Sequence, residues 1–289
     1  IGFGRILSKT WANKFVISLS YRCLDPSLAA KEVIDKSYST ILMSGTLTPT
    51  SMYRDILGFS DNIVEKEYKS PFPKKNRLNL IIPKTTTKFV NRNHKQYGEI
   101  AKVCGDIVDI VKGNSAIFFP SYDLMLNINE HLGKETKKPI FLEKQKMTKA
   151  EKEEFLAAFK NYNKIMNGAV LLGVSTGSFG EGIDMPDVLK AVIVVGLPLN
   201  KPDVEARLLI EYYDDKFSKG FEYGYVLPAI TKCMQNAGRC IRSETDKGAI
   251  IFLDERYAWN NYYQCFPEDW DMEVEMDYLD VLKEFIGQK

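Results

Sequence analysis

Three residues in the last third of the chain have the types and spacing to hold a phosphate. Gln235, Arg239 and Arg242 stand at i, i+4 and i+7 within QNAGRCIRSETDKGAIIFLD. A helix turns about 100° per residue, so on a helix over about 228–243 the three share one stripe. Ile230, Met234, Ala237 and Ile241 form a second stripe roughly 140° away. One face can pack on a sheet while the other presents two guanidiniums and an amide, and Gly238 leaves room for a close approach. The guanidinium fork matches phosphate oxygens and stays charged. The bland alternative is a solvated face with two surface arginines.

Two polar loops are further candidates. STGSFGEGIDMPD follows the apolar run Ala169–Val174. Gly177, Gly180 and Gly182 let backbone N–H groups turn toward a phosphate or a nucleic-acid backbone. Ser175, Thr176 and Ser178 add hydroxyls, and Asp184, with Glu181 nearby, could position an arginine or a ribose hydroxyl. The competing reading is a flexible connection with a buried acidic cap. Ser44-Gly45-Thr46 stands at the C-terminal end of a second apolar run, where ligands gather in open α/β sheets. No GxxxxGK[ST] phosphate loop occurs. Asp254-Glu255 follows an apolar run but reads as a solvated strand end.

The elements that must position these residues alternate. Strands are expected over 15–21, Thr40–Met43, Leu78–Ile82, Ser115–Pro120, Ala169–Val174, Ala191–Leu197 and 249–253. Helices are expected from Ser27, over 50–57, 96–112, after Ser121 as N-cap and ended by Gly133, over 203–217 and over 228–243. Thr148 and Glu151 form a capping box for a helix whose inner face is Phe155, Phe159, Tyr162 and Met166. Pro71 and Pro73 keep 66–77 extended. Solid apolar strands alternating with helices predict an α/β fold, a mostly parallel sheet with helices on both faces.

Composition narrows the class. The 289 residues are 45% apolar and carry a formal net charge of +1, enough for a sizeable core and without a global nucleic-acid signature. Charge is uneven: Lys66–Lys95 holds nine Lys/Arg against Glu67, and Glu268–Asp280 holds seven Asp/Glu and no base. Both read as solvated surface. Five scattered cysteines without a CxxC pair argue for a reduced, intracellular protein and against structural zinc. His94 and His131 are too isolated for a metal site. No apolar run reaches membrane-spanning length, and a start at Ile1 suggests an excised fragment.

The order ILMSGTLTP, AIFFPSYDLM, GSFGEGIDMPD, VVGLPL and QNAGRCIRSETDKGAIIFLDERYA resembles the C-terminal half of the XPD-type DNA helicases, superfamily 2 enzymes related to the DinG proteins. YRCLDPS upstream points to XPD. The resemblance implies a RecA-like fold, with 1–47 the tail of a first motor domain and 48–289 the second. ATP and Mg²⁺ would bind between the domains, and the phosphate loop, the Mg²⁺-binding acids and an iron–sulfur cluster would belong to the N-terminal half. Arg239 and Arg242 would be fingers on the γ-phosphate. Gln235, Glu181, Gly182 and Asp184 would face the nucleotide, and Ser44, Gly45 and Thr46 would couple it to DNA. Ser121, Tyr122, Thr176, Gly177, Ser178 and Phe179 would contact single-stranded DNA, although Tyr122 and Phe179 suit a core equally well. The implied role is 5′→3′ unwinding in nucleotide excision repair, in the cytoplasm or a nucleus, with repair proteins as partners and no membrane. Alone, the chain is expected not to hydrolyse ATP. The alternative is a non-catalytic nucleic-acid- or protein-binding module derived from a helicase domain. The arginine stripe is expected to face solvent.

Overall fold

The structure, a computed structural model, describes residues 2–12, 14–165, 167–180, 188–199 and 202–287. In chain order the elements begin with β1 (Phe3–Ala12), β2 (Lys14–Cys23), α1 (Ser27–Lys36), α2 (Thr50–Leu57), β3 (Arg77–Ile82) and α3 (His94–Ile110). They continue with β4 (Asn114–Phe119), α4 (Tyr122–Glu135), β5 (Ile140–Leu142), α5 (Lys149–Ile165), β6 (Val170–Val174) and β7 (Leu189–Val195). The last are α6 (Val204–Phe217), α7 (Leu227–Ala237), β8 (Gly248–Leu253), α8 (Asn260–Tyr263), β9 (Glu273–Val274) and α9 (Tyr278–Ile286). The chain forms two compact units, Ile1–Tyr68 with Leu199–Ala229, and Lys69–Pro198 with Ile230–Lys289.

In the first unit β1 and β2 form an antiparallel hairpin, paired from Phe3↔Cys23 to Ala12↔Lys14. Asp25 then locks the turn into α1. Its buried carboxylate accepts hydrogen bonds from the Ser27 amide (3.1 Å) and hydroxyl (2.5 Å), the Tyr212 hydroxyl (2.6 Å) and Lys216 Nζ (2.7 Å). Burial alone would raise this carboxyl, but the bonds from Lys216, Ser27 and Tyr212 outweigh it and hold it at about 2. The expected strand Thr40–Met43 does not form. The segment is irregular, with Ile41 85% and Met43 86% exposed. An apolar run becomes a strand only with a ladder partner, and among the described residues it pairs with none.

The second unit is a seven-stranded parallel sheet in the order β5-β6-β4-β7-β8-β3-β9. Leu80, Ile117, Phe119, Leu172, Ile193 and Ile251 pack with α3, α4 and α9 in one cluster. The alternate residues Ile81, Phe118, Leu171, Val192, Ile250 and Phe252 are as fully buried. The sheet is therefore covered on both faces, which is why its strands read as unbroken apolar runs. Each such side chain contributes about 1.5–3 kcal/mol by leaving water. Asn114 fixes the lower end: its amide donates to the Phe159 carbonyl and its oxygen accepts from the Ala169 amide, both at 2.9 Å.

Local signals start the helices. Ser121 caps α4 by accepting from the Leu124 amide at 3.3 Å. The Thr148–Glu151 box is reciprocal, with Thr148 N–H to Glu151 at 2.6 Å and Glu151 N–H to Thr148 Oγ1 at 3.3 Å. Gly133 does not end α4. It lies on the exposed side, and the helix runs to Glu135 with Thr136 as its C-cap. Of the expected inner face of α5, Phe159 is buried and Met166 lies outside the described residues.

Two outcomes follow. Gly168 has φ +93, and a Cβ there would stand 2.1 Å from the Gly113 backbone. Gly168→Ala should destabilise the second unit by about 2–4 kcal/mol, read as a lower urea midpoint. Asp25, with its folded pKa depressed, stabilises the first unit wherever it is ionised in both states, above its unfolded value near ~3.9. That contribution is lost as pH falls from there through about 2. The difference in urea midpoint between the parent and Asp25→Asn should shrink over that window; a constant difference would refute the assignment.

Candidate functional site

Parallel pairing brings the C-terminal ends of β5, β6 and β4 side by side. Phe119 is level with Val174, and Leu142 with Leu172. The Ser175 amide donates to the Phe119 carbonyl at 2.8 Å, and the Glu143 amide to the Leu172 carbonyl at 2.9 Å. Ser121–Tyr122, Thr176–Phe179 and Glu143 therefore emerge on one edge. Glu143 was absent from the sequence candidates because three-residue β5 is too short to show a period.

Glu143 is 2% exposed. Its Oε2 accepts from the Val174 amide at 2.8 Å, and its Oε1 from the Ser178 amide at 2.6 Å and the Tyr122 hydroxyl at 3.0 Å. Burial, then the Glu143 carboxylate, pushes the Tyr122 phenol up to about 12, so it stays a proton donor at neutral pH. A Cβ at Gly177 would lie 2.6 Å from Glu143 Oε1. This glycine is there because the carboxylate fills the space beneath it.

The Gly177 and Gly180 amides do not turn outward as expected. Gly177 N–H is spent on the Val174 carbonyl at 2.8 Å and Gly180 N–H on the Gly177 carbonyl at 3.1 Å. With the Ser178 amide on Glu143, the exposed Thr176 and half-buried Ser178 offer chiefly hydroxyls. Phe179 belongs to the core: it is fully buried and stacks on Phe155 at 4.8 Å and 19°. Tyr122 packs partly against the main cluster. The Phe179 ring is therefore not presented for base stacking.

The phosphate-directed segment also differs from expectation. Ile230, Met234, Ala237 and Ile241 are buried as the second stripe requires. But α7 stops at Ala237, and a turn follows in which Arg239 N–H reaches the Asn236 carbonyl (3.3 Å) and Cys240 N–H the Ala237 carbonyl (3.1 Å). Cys240 and Ile241 enter the core from this turn, imitating helical spacing. Gln235 and Arg242 are exposed, as expected, while Arg239 is only 6% exposed. Its Nη2 donates to the Gly180 carbonyl at 2.6 Å, and Asn236, fully buried, donates to the Ser175 carbonyl at 3.4 Å. Asp246 holds the segment beyond by accepting from the Arg242 and Ser243 amides at 2.7 and 2.8 Å.

Ser44, Gly45 and Thr46 lie in the first unit, in a turn where Ser44 Oγ and Thr46 Oγ1 are 3.3 Å apart and Tyr53 donates to the Thr46 carbonyl at 3.1 Å. Glu181, Gly182 and Asp184 lie outside the described residues. Among the described residues no group of three or more His, Cys, Asp or Glu side chains could hold a metal ion. Cys104, Cys233, Cys240 and Cys265 are buried and form no disulfide, and burial pushes Cys233 and Cys240 up to about 12. Among the described residues no helix is long and apolar enough to cross a membrane.

A family model described as "Helicase C-terminal domain" matches residues 104–273. The chain is similar to the "General transcription and DNA repair factor IIH helicase subunit XPD" of Dictyostelium discoideum, 31% identical over 81% of this chain and 32% of that protein. It is likewise similar to the "3'-5' exonuclease DinG" of Staphylococcus saprophyticus, 28% identical over 90% of this chain and 28% of that protein. The chain thus spans about a third of the length of these relatives. A solved XPD helicase superposes with a TM-score of 0.68 at 22% identity, over 90% of this chain and 47% of that one. The second unit is an α/β RecA-like helicase fold.

Burial separates the two arginines. Arg239→Ala removes the partner of a buried carbonyl and should cost about 1–3 kcal/mol of stability. Exposed Arg242→Ala should stay within about 0.5 kcal/mol of the parent. Chemical unfolding of both variants checks this.

Proposed function

The chain belongs to the helicase C-terminal domain family, and from that premise we propose that it is the second motor domain of an ATP-dependent, XPD-type 5′→3′ DNA helicase of nucleotide excision repair. The observation that carries the reading is a physical link. One loop, 174–180, is tied through Gly180 to Arg239 in the phosphate-directed segment and through Ser178 to Glu143 and Tyr122 beside the strand ends. A motor needs such a link between nucleotide and nucleic acid.

In this reading Arg242 is the finger. Its exposed guanidinium meets the γ-phosphate of an ATP held by the other motor domain, where an arginine contributes on the order of 10³–10⁵ in rate. Gln235, exposed on α7, faces the same nucleotide, with Glu181, Gly182 and Asp184. Arg239 is held back to anchor the loop. Supplying the finger from a second domain makes turnover depend on closure, so hydrolysis drives movement on DNA. Mg²⁺ neutralises phosphate charge when bound; its ligands, the phosphate loop and an iron–sulfur cluster are assigned to the N-terminal half. Hydroxyls of Ser121, Thr176 and Ser178 grip the DNA backbone without reading sequence. Residues 1–47 complete the first motor domain, and Ser44–Thr46 couple the two sites. The exposed apolar run at Ile41–Met43 supports this, since it fits a strand whose neighbours lie in another domain. Repair proteins are the proposed partners, inside the cell.

The chain alone should bind labelled single-stranded DNA weakly, without sequence preference, and progressively less as salt rises. No binding at low salt would favour a protein-docking module instead. The purified chain should show no DNA-stimulated ATPase. Mixed with an N-terminal helicase half it should restore turnover that Arg242→Ala reduces by about 10³-fold or more; undiminished turnover would remove the finger role.

A further inference from the structure

Resting on the nucleic-acid reading above, we infer that Glu143 is the positioning residue that sets the grip on the DNA backbone, by holding Ser121–Tyr122 and Thr176–Ser178 at one fixed spacing. A buried carboxylate is costly unless its oxygens are fully satisfied. Here three donors satisfy it: the Val174 and Ser178 amides and the Tyr122 hydroxyl. One of these is the last residue of β6, one lies in the turn after it, and the third opens α4, the helix that follows β4. The carboxylate is thus the joint between two neighbouring strand ends.

Two glycines keep its place clear. A Cβ at Gly177 would approach Oε1 to 2.6 Å and Oε2 to 2.8 Å, and one at Gly173 would lie 3.2 Å from Oε2. Packing alone does not call for a charge at this point, because an apolar side chain could fill the space between β5 and the turn. Bonds to an ionised acceptor are stronger and more directional than neutral ones. They hold the turn before any ligand arrives, so little ordering remains to oppose binding.

The sign of one substitution separates positioning from electrostatics. Glu143→Gln keeps the shape, removes a negative charge near the DNA, and turns an amide donor toward one of the three donors. A purely electrostatic effect tightens DNA binding. Loss of positioning weakens it, by about tenfold for one charge-assisted hydrogen bond.

The test is a titration of the whole chain with fluorescent oligothymidine at low salt, alongside amide hydrogen exchange and the urea midpoint. We expect Glu143→Gln to weaken binding by about tenfold, to speed exchange at Val174 and Ser178, and to leave exchange in the core strands unchanged. Tyr122→Phe, which removes only the hydroxyl, should weaken binding by a smaller factor and add nothing in the Glu143→Gln background. If Glu143→Gln fails to fold, Tyr122→Phe carries the test, and full affinity in that variant overturns the proposal. Unchanged or tighter binding by Glu143→Gln with faster exchange also overturns it, leaving a purely structural clamp. If the parent binds no DNA at low salt, the nucleic-acid reading falls and the proposal with it, while the exchange data still report whether the joint exists.

Discussion

The Ser175 amide donates to the Phe119 carbonyl at 2.8 Å, closing the ladder between β4 and β6. Everything on the candidate edge follows from that register. Because parallel strands end level with one another, the residues after β4 and after β6 leave the sheet a strand spacing apart, roughly 4.8 Å. Shifting either strand by one residue would turn its buried side chains to the other face and move its loop away from Glu143. The register is in turn enforced from the opposite end, where Asn114 bridges α5 and the start of β6. The backbone of Gly113 also meets Gly168 there, too closely for any side chain.

Buried charge recurs at the ends of this sheet's strands, with its hydrogen-bond partners assembled by neighbouring chain segments. Asp254, at the end of β8, is fully buried rather than solvated. It accepts from the Thr87 amide and hydroxyl at 2.8 and 3.0 Å and from Arg256 Nε and Nη2 at 2.8 Å. Lys138 repeats the device at the lower edge, giving Nζ to the Val111 and Gly113 carbonyls, and burial brings it down to about 8. Removing one partner from such a group leaves the other unpaired in a low dielectric, which costs more than the bond itself contributes. The loops are thereby held by a few specific atoms, while the strands beneath them are held by area.

What could be read from residues alone follows the same division. Strands buried on both faces announce themselves as apolar runs, and the caps at Ser121 and Thr148–Glu151 rest on local chemistry, so these came out at nearly the observed positions. Features that depend on a distant partner did not. Thr40–Met43 has strand composition but no ladder partner among the described residues. Glu143 looks like any surface carboxylate until β5 is set against β6. The end of α7 was overrun because Cys240 and Ile241 are buried by a turn that happens to continue the helical period. That overrun also placed Arg239 on an outer stripe, when its guanidinium donates to a carbonyl some sixty residues earlier in the chain.

The charge pattern makes the same point on a larger scale. The basic stretch before β3 and the acidic stretch near β9 each look like free surface. Within the second unit they meet: Asp269 accepts from the Ser70 amide at 2.9 Å, the Asp269 carbonyl accepts from Arg77 Nη2 at 2.8 Å, and Lys74 pairs with Asp271. Arg77 also lies over the Trp270 ring at 5.5 Å. A cationic stretch so engaged contributes less long-range attraction for an anion than its charge count suggests. In the proposed motor, affinity for a phosphate backbone comes from short-range contacts at the strand ends, where hydroxyls at fixed spacing matter more than net charge. For a motor this is a workable balance, because contacts of short reach are broken by a small displacement and remade at the next nucleotide.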